Sequence, residues 1–372
     1  MGALPKPHAT DRQPLAASLG ERISRNGPIG VHDYMEACLA DRGSGYYATR
    51  QPIGAGGDFI TAPEISQVFG ELIGAWIAGV WQGMDAPSSL VVAELGPGRG
   101  TLMRDALRVW RNAPEFLASV SVALVETSPV LEIVQRETLR DSPAPLRWYE
   151  AIEDVPSGPL ILVANEFVDA LPVRQIVKQG GVWRERTVTL AAHGGLAFGA
   201  GAAVELDALP PWLGGTDAPE GAIVETRPAR FIEILAARAK EVPVAALIAD
   251  YGHAMSGIGD TLQAVQRHRF ADPLSAPGET DLTAHVDFAA LKETARGLGL
   301  AAFGPMPQGA FLLKLGLASR CDRLLREAAP DQRQAILSGA ARLADPNQMG
   351  ALFKMLVLQS SGLVSPPPFG DI

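Results

Sequence analysis

A short glycine-rich segment and the carboxylates around it are the residues of this chain whose types and spacing could do chemistry. Val91-Val92-Ala93-Glu94-Leu95-Gly96-Pro97-Gly98-Arg99-Gly100 runs from an apolar stretch through an acid into three alternating glycines. Glycines permit a sharp turn and a close ligand approach, because no Cβ intrudes. A helix beginning at Thr101 would add free N–H groups and the positive end of its dipole. A carboxylate at Glu94 suits a cation. A second apolar stretch ends at Glu126, within Val122-Ala123-Leu124-Val125-Glu126. An acid there can accept both hydroxyls of a ribose, as in nucleotide-binding folds.

Two cofactor chemistries compete for this loop. A dinucleotide site reads Gly-x-Gly-x-x-Gly. Here the third glycine comes one residue early, Thr101 takes the dinucleotide position, and an acid stands two residues before Gly96. Glu-x-Gly-x-Gly-x-Gly is similar to the loop of class I methyltransferases. Their cofactor, S-adenosylmethionine, has no pyrophosphate but carries a cationic sulfonium and an ammonium. Glu94, Gly96, Pro97, Gly98, Gly100, Glu126 and Asn165 are therefore expected to hold S-adenosylmethionine.

The apolar run Leu160–Ala164 is followed by Asn165-Glu166-Phe167-Val168-Asp169-Ala170-Leu171-Pro172. Polar residues at the carboxyl end of a buried strand face the ligand in doubly wound sheets. Asn165, Glu166 and Asp169 are candidates to orient a cationic acceptor nitrogen or to take its proton. The plainer reading makes Asn165 a helix cap, with Glu166 and Asp169 complementing the dipole. Asp250-Tyr251-Gly252-His253 follows Val244–Ala249 in the same way. His253 could serve as a base, or be a satisfied surface histidine.

The elements that must position these residues alternate. Apolar runs at Leu90–Leu95, Val120–Val125, Leu146–Tyr149, Leu160–Ala164, Val244–Ala249, Leu300–Phe303 and Leu352–Leu358 read as seven strands. Helical periods separate them at 101–110, 130–139, 229–239 and 309–343. This predicts an α/β fold, a Rossmann-like seven-stranded sheet with helices on both faces. Val173–Val177 and Val182–Leu190 flank Gly180-Gly181 and read as an inserted hairpin. Residues 191–221 read as a long surface loop. The predicted division is an N-terminal helical extension with a Gly-rich lid, 1–84, and a main domain, 85–372. The latter carries insertions at about 173–225 and 305–345. Within the extension, Leu15, Leu19 and Ile23, then Val31, Met35 and Cys38, recur at helical spacing. A long helix is expected from about Thr61, with Thr61 and Glu64 as a capping box. Gly57 and Asp58, in the Gly-rich stretch before it, are expected to lid the site, and Glu64 is a lower-ranked acceptor-binding candidate.

Composition narrows the function classes. The 372 residues carry 32 Lys and Arg against 41 Asp and Glu, a formal charge of −9, with 47% hydrophobic and 20% charged residues. That excludes a wholly disordered chain and disfavours nucleic acid as partner, since such binding rests on excess cations. No Asn/Asp-Pro-Pro-Tyr follows the fourth strand, which also argues against a nucleobase acceptor. Two cysteines make no disulfide framework. Asp281, His285 and Asp287 form a poor metal set, so no metal is expected. No apolar run is long enough to span a bilayer, and the first residues show no secretory pattern. The expected location is a bacterial cytoplasm.

Four further segments match a known family over nearly the whole chain. They are Gly56-Gly57-Asp58-Phe59-Ile60-Thr61-Ala62-Pro63-Glu64-Ile65-Ser66, Asn165 to Pro172, Ala249-Asp250-Tyr251-Gly252-His253, and Gly278-Glu279-Thr280-Asp281-Leu282-Thr283-Ala284-His285-Val286-Asp287-Phe288. With the Glu94–Gly100 loop, they resemble the MidA family, which includes a mitochondrial arginine methyltransferase needed for complex I assembly. The resemblance implies a class I methyltransferase fold with an N-terminal helical extension. It implies methyl transfer to an arginine of a partner protein, in relatives symmetric dimethylation of a respiratory complex I subunit, in the mitochondrial matrix of eukaryotes. A cofactor-binding assembly factor without catalysis and a small-molecule methyltransferase are the alternatives.

Overall fold

The structure is a computed structural model that describes residues 15–41, 43–49, 61–214, 217–266 and 269–370. The expected lid residues Gly57 and Asp58 lie outside the described residues. The chain divides into two compact units. One comprises Gln51–Leu171, Pro228–Gly257 and Ala284–Ile372; the other comprises Met1–Arg50, Pro172–Arg227 and Ile258–Thr283. The division differs from an extension ending at residue 84. Gln67–Gly83 belongs to the larger unit, and the hairpin insertion shares the smaller unit with the N-terminal helices.

The larger unit is built on a sheet of seven strands in one path, β1 Leu90–Leu95, β2 Val120–Val125, β3 Leu146–Tyr149, β4 Leu160–Asn165, β5 Val244–His253, β6 Leu300–Pro307 and β7 Phe353–Ser360, with a short eighth, Val286–Asp287, beside the end of β5. Their order is β6-β7-β5-β4-β1-β2-β3. β7 runs antiparallel to both its neighbours, while the β5-β4-β1-β2-β3 pairings are parallel. Alternate residues serve opposite faces, as the pleat demands. Ile161 and Val163 of β4 join the cluster around Phe69, Trp76 and Trp110, and Leu160, Leu162 and Ala164 join that around Ile232, Leu235 and Phe288. Burying each large apolar side chain is worth about 1.5–3 kcal/mol, more than strand propensities that span about 1 kcal/mol. Cover on both faces therefore makes these runs strands. Chain order and pairing put the carboxyl ends of β1, β2, β4 and β5 at one edge, with Glu94 of β1 beside Val163 of β4 and Leu124 of β2.

Gln67–Gly83 and Thr101–Trp110 pack closely. A Cβ on Gly74 would stand 2.7 Å from the Cα of Ala106, so the contact needs glycine. The Trp110 indole donates to the Gly74 carbonyl at 2.9 Å. The helix after the glycine loop is thus fixed by residues before it in the chain.

The long helix does not begin at Thr61. Ala62–Ile65 is a four-residue turn, Ser66 breaks it with φ −156° and ψ 130°, and the Ser66 hydroxyl accepts from Val68 N at 3.3 Å to start Gln67–Gly83. Ser66 is the cap, and Thr61 makes no side-chain cap bond.

In the smaller unit, Ile29–Gly30, Val182–Leu190, Arg174–Gln179 and Ile223–Thr226 pair in that order. The expected hairpin is present. Residues 191–221 are not wholly a loop: Leu196–Ala203 is a strand against Val182–Leu190. Among the described residues no helix is long and apolar enough to cross a membrane.

Candidate functional site

β1 delivers Glu94 to the edge, and the chain turns at once. Gly96, Gly98 and Gly100 have φ of 59°, 56° and 79°, a left-handed backbone that glycine adopts at least cost. A Cβ on Gly96 would meet the Phe167 ring at 2.9 Å. Gly100 N donates to Pro97 O at 2.8 Å, closing the turn into the helix Thr101–Trp110. The Glu94 carboxyl is buried, and its Oε2 has no hydrogen-bond partner among the described residues. Burial pushes its pKa up to about 8. An enclosed acceptor lacking a donor is what a cationic ligand group would satisfy.

Glu126 follows β2 and is held rather than loose. Its Oε1 accepts from Ser128 N at 2.8 Å, and its Oε2 from the Gln135 amide at 2.9 Å. Burial pushes this carboxyl up while those donors pull it back. The same Gln135 nitrogen donates to Gly98 O at 2.9 Å, and the Gln135 oxygen accepts from the Trp148 indole at 2.9 Å. Gln135 is fully buried and ties the acid to the glycine loop. Sequence reasoning missed it. Its signal was its position one turn from the end of Pro129–Thr138, where a polar residue on an apolar face requires partners.

Asn165 ends β4, and no helix follows, so the cap reading fails. Residues 166–171 form bends and turns. Glu166 has φ 50°, a left-handed conformation that is strained for a side chain of its size. Its N–H donates to Ala249 O at 2.8 Å. Its Oε1 accepts from Ala62 N at 2.8 Å and from the Asn165 amide at 3.4 Å. Burial pushes its pKa up to about 7, with the Ala62 N–H opposing and Asp169 adding to the rise.

One cavity collects Thr61, Pro63, Glu64, Glu94, Gly96, Pro97, Gly98, Arg99, Thr101, Leu102, Asn165 and Glu166. Glu64 is there because it caps nothing; its carboxylate accepts a short hydrogen bond from the Thr101 hydroxyl. Gly100 and Glu126 flank this lining rather than joining it. Asp169 lies behind it, buried, with its N–H on Asp250 Oδ2 at 3.1 Å and its carbonyl accepting from Ala284 N at 3.0 Å. His253 is also outside the lining. It stands opposite Asp287 in the pairing of β5 with Val286–Asp287, its Nε2 3.8 Å from Asp287 Oδ2, and Asp287 caps Phe288–Gly297.

Three comparisons with known proteins agree on one kind of protein. Residues 72–306 match the model of a family described as S-adenosyl-L-methionine-dependent methyltransferases. A Drosophila melanogaster protein named "Protein arginine methyltransferase NDUFAF7 homolog, mitochondrial" is 37% identical, over 92% of this chain and 84% of its own. The Homo sapiens protein arginine methyltransferase NDUFAF7 is 35% identical over 93% and 83%. A crystal structure of a Burkholderia thailandensis protein with S-adenosyl-homocysteine bound superposes with a TM-score of 0.80 at 32% identity, covering 94% of this chain and 92% of that one. The chain belongs to the MidA-like methyltransferase family. It is an S-adenosylmethionine-dependent methyltransferase with the class I fold. The donor set of this methyltransferase fits the cofactor. Glu94 offers an unsatisfied buried oxygen to a cation, the glycine loop offers close backbone approach, and Glu126 is fixed at the end of the neighbouring strand.

Proposed function

We propose that this methyltransferase methylates an arginine of a partner protein. Glu94, Gly96, Pro97, Gly98 and Gly100 would hold the methionine end of the cofactor. Glu126 would hold its ribose, and Asn165 and Glu166 would edge the acceptor. The observation that carries this reading is Glu166. It is a carboxylate held in a strained backbone conformation, in the same cavity as Glu94 and the glycine loop. The names of the relatives as protein arginine methyltransferases support it. We take the partner to be a respiratory complex I subunit bearing symmetric dimethylarginine, and the setting to be the bacterial cytoplasm; family resemblance supports the former.

Bound S-adenosylmethionine supplies an electrophilic methyl on sulfur. A guanidinium is protonated at any working pH, so one N–H must be relieved of its proton as nitrogen attacks. Glu166 pairs with the planar guanidinium fork, aims one nitrogen and takes that proton. The nitrogen–carbon bond forms, the carbon–sulfur bond breaks, and its electron pair stays on sulfur. Asn165 steadies the carboxylate. Most of the rate enhancement would come from orientation and fixed charges. Behind Glu166, Asp169 raises the cost of a second charge. His253, turned to Asp287 outside the lining, is given no part in the step.

The test is incubation with methyl-labelled S-adenosylmethionine and lysate of a cell lacking this protein, followed by amino-acid analysis of the labelled band. Labelled dimethylarginine in a protein is expected; label confined to small molecules, or cofactor binding without transfer, overturns the reading. Glu166→Gln should lower kcat by about 10²-fold or more with cofactor affinity kept. In the unsubstituted protein kcat/KM should fall as pH drops through about 7, where Glu166 gains its proton.

A further inference from the structure

We propose that Asp250 is a positioning residue for methyl transfer, holding Glu166 in its left-handed conformation through the backbone of Val168 and Asp169. The inference rests on Glu166 being the acceptor-facing carboxylate. Asp250 is fully buried in β5, directly after Ala249, whose carbonyl receives the Glu166 N–H. Its Oδ2 accepts from Val168 N at 2.9 Å and Asp169 N at 3.1 Å. Its Oδ1 accepts from Tyr251 N at 2.9 Å.

A carboxyl buried with no cation beside it among the described residues is costly to keep charged. Here both of its oxygens are committed to main-chain donors, and two of those donors lie in the loop that carries Glu166. A left-handed glutamate persists only where its surroundings over-determine the backbone. The contacts that do so are Ala249 on one side of the bend and Asp250 on the other. Asparagine keeps the shape but offers only one oxygen. Its amide would set a donor against either the loop N–H groups or Tyr251 N. The loop would then relax, and Glu166 would lose its aim while β1 and β2 kept the cofactor loop intact.

The experiment is a double-mutant cycle of Asp250→Asn with Glu166→Gln in the full chain, reading kcat, acceptor KM and cofactor affinity. In the otherwise unsubstituted protein, Asp250→Asn should lower kcat about 10- to 100-fold, with cofactor affinity within about twofold. In the Glu166→Gln background it should cost little more, because Asp250 acts through Glu166. A merely structural role would cost the same in both backgrounds and overturn the proposal, as would an unchanged kcat. If Glu166→Gln alone leaves turnover intact, the acceptor reading itself fails, and Asp250 then has nothing to position. Should Asp250→Asn fail to fold, amide exchange of the unsubstituted protein decides. Protection at Val168 and Asp169 equal to that in β4 is expected, and fast exchange there overturns the proposal.

Discussion

Ionising a buried carboxyl that has no donor on one oxygen is costly, and among the described residues Glu94 is such a group. Its pKa rises from 4.5 to about 8 on folding. An acid with a raised folded pKa keeps its proton longer folded than unfolded. Its contribution to stability is fullest below about 4.5, and it is lost as pH climbs toward 8. Glu94→Gln should therefore melt higher than the unsubstituted protein at pH 9 without cofactor, by a few degrees. The same substitution should weaken cofactor binding about 10-fold or more. A cationic group placed on Glu94 would draw its proton off. Binding at pH 7 should thus release up to one proton, seen as a calorimetric enthalpy that varies with buffer ionisation heat. Loss of that variation in Glu94→Gln is expected; its persistence would assign the proton elsewhere.

The Ala62–Ile65 turn is the element with most leverage on the site. It is tied to the post-β4 loop through the Ala62 N–H on Glu166 and to the start of the helix after the glycine turn through Glu64 on Thr101. The cavity it helps to line measures about 40 Å³ and leaves Gly100 and Glu126 outside, so it is part of a site rather than a whole one of about 300–1,000 Å³. A turn tied on both sides in this way would set how fast a cofactor enters and leaves the cavity it lines. Glu64→Ala should raise the cofactor association and dissociation rates together, each about fivefold, with a smaller change in affinity. Stopped-flow rates equal to those of the unsubstituted protein would show that Glu64 is no latch. This turn also marks the limit of reading from sequence. Thr61-x-x-Glu64 has capping-box spacing, yet Ser66 competes as a cap five residues on, and only the Thr101 contact, 37 residues away, decides where Glu64 points. The strand Leu196–Ala203 (LAFGAGAA) was illegible because small residues carry no apolar period. β5 was read only to Ala249, because its last four residues are Asp250-Tyr251-Gly252-His253 and their pairing with Val286–Asp287 is non-local. By contrast, β1, the glycine turn and the place of Glu126 at the end of β2 were legible. Their signals are local: an apolar run, an acid, and glycines at positions that need positive φ.

Across the whole molecule, a net charge of −9 sets up a field that attracts cationic partners and repels polyanions. The contacts assigned to Glu94 and Glu166 are enclosed, so dissolved ions screen them little. The field between exposed charges is screened beyond about 10 Å at 0.1 M salt. Salt therefore separates long-range steering of the acceptor from recognition inside the cavity. With an arginine-bearing protein acceptor, kcat/KM should fall several-fold between about 50 and 500 mM NaCl, chiefly through KM, while cofactor affinity changes less than about twofold. Salt dependence that tracks cofactor binding instead would place the decisive charges in the cofactor pocket. A kcat/KM that does not fall with salt would mean that the partner docks through apolar contacts, and that the acidic surface serves solubility alone.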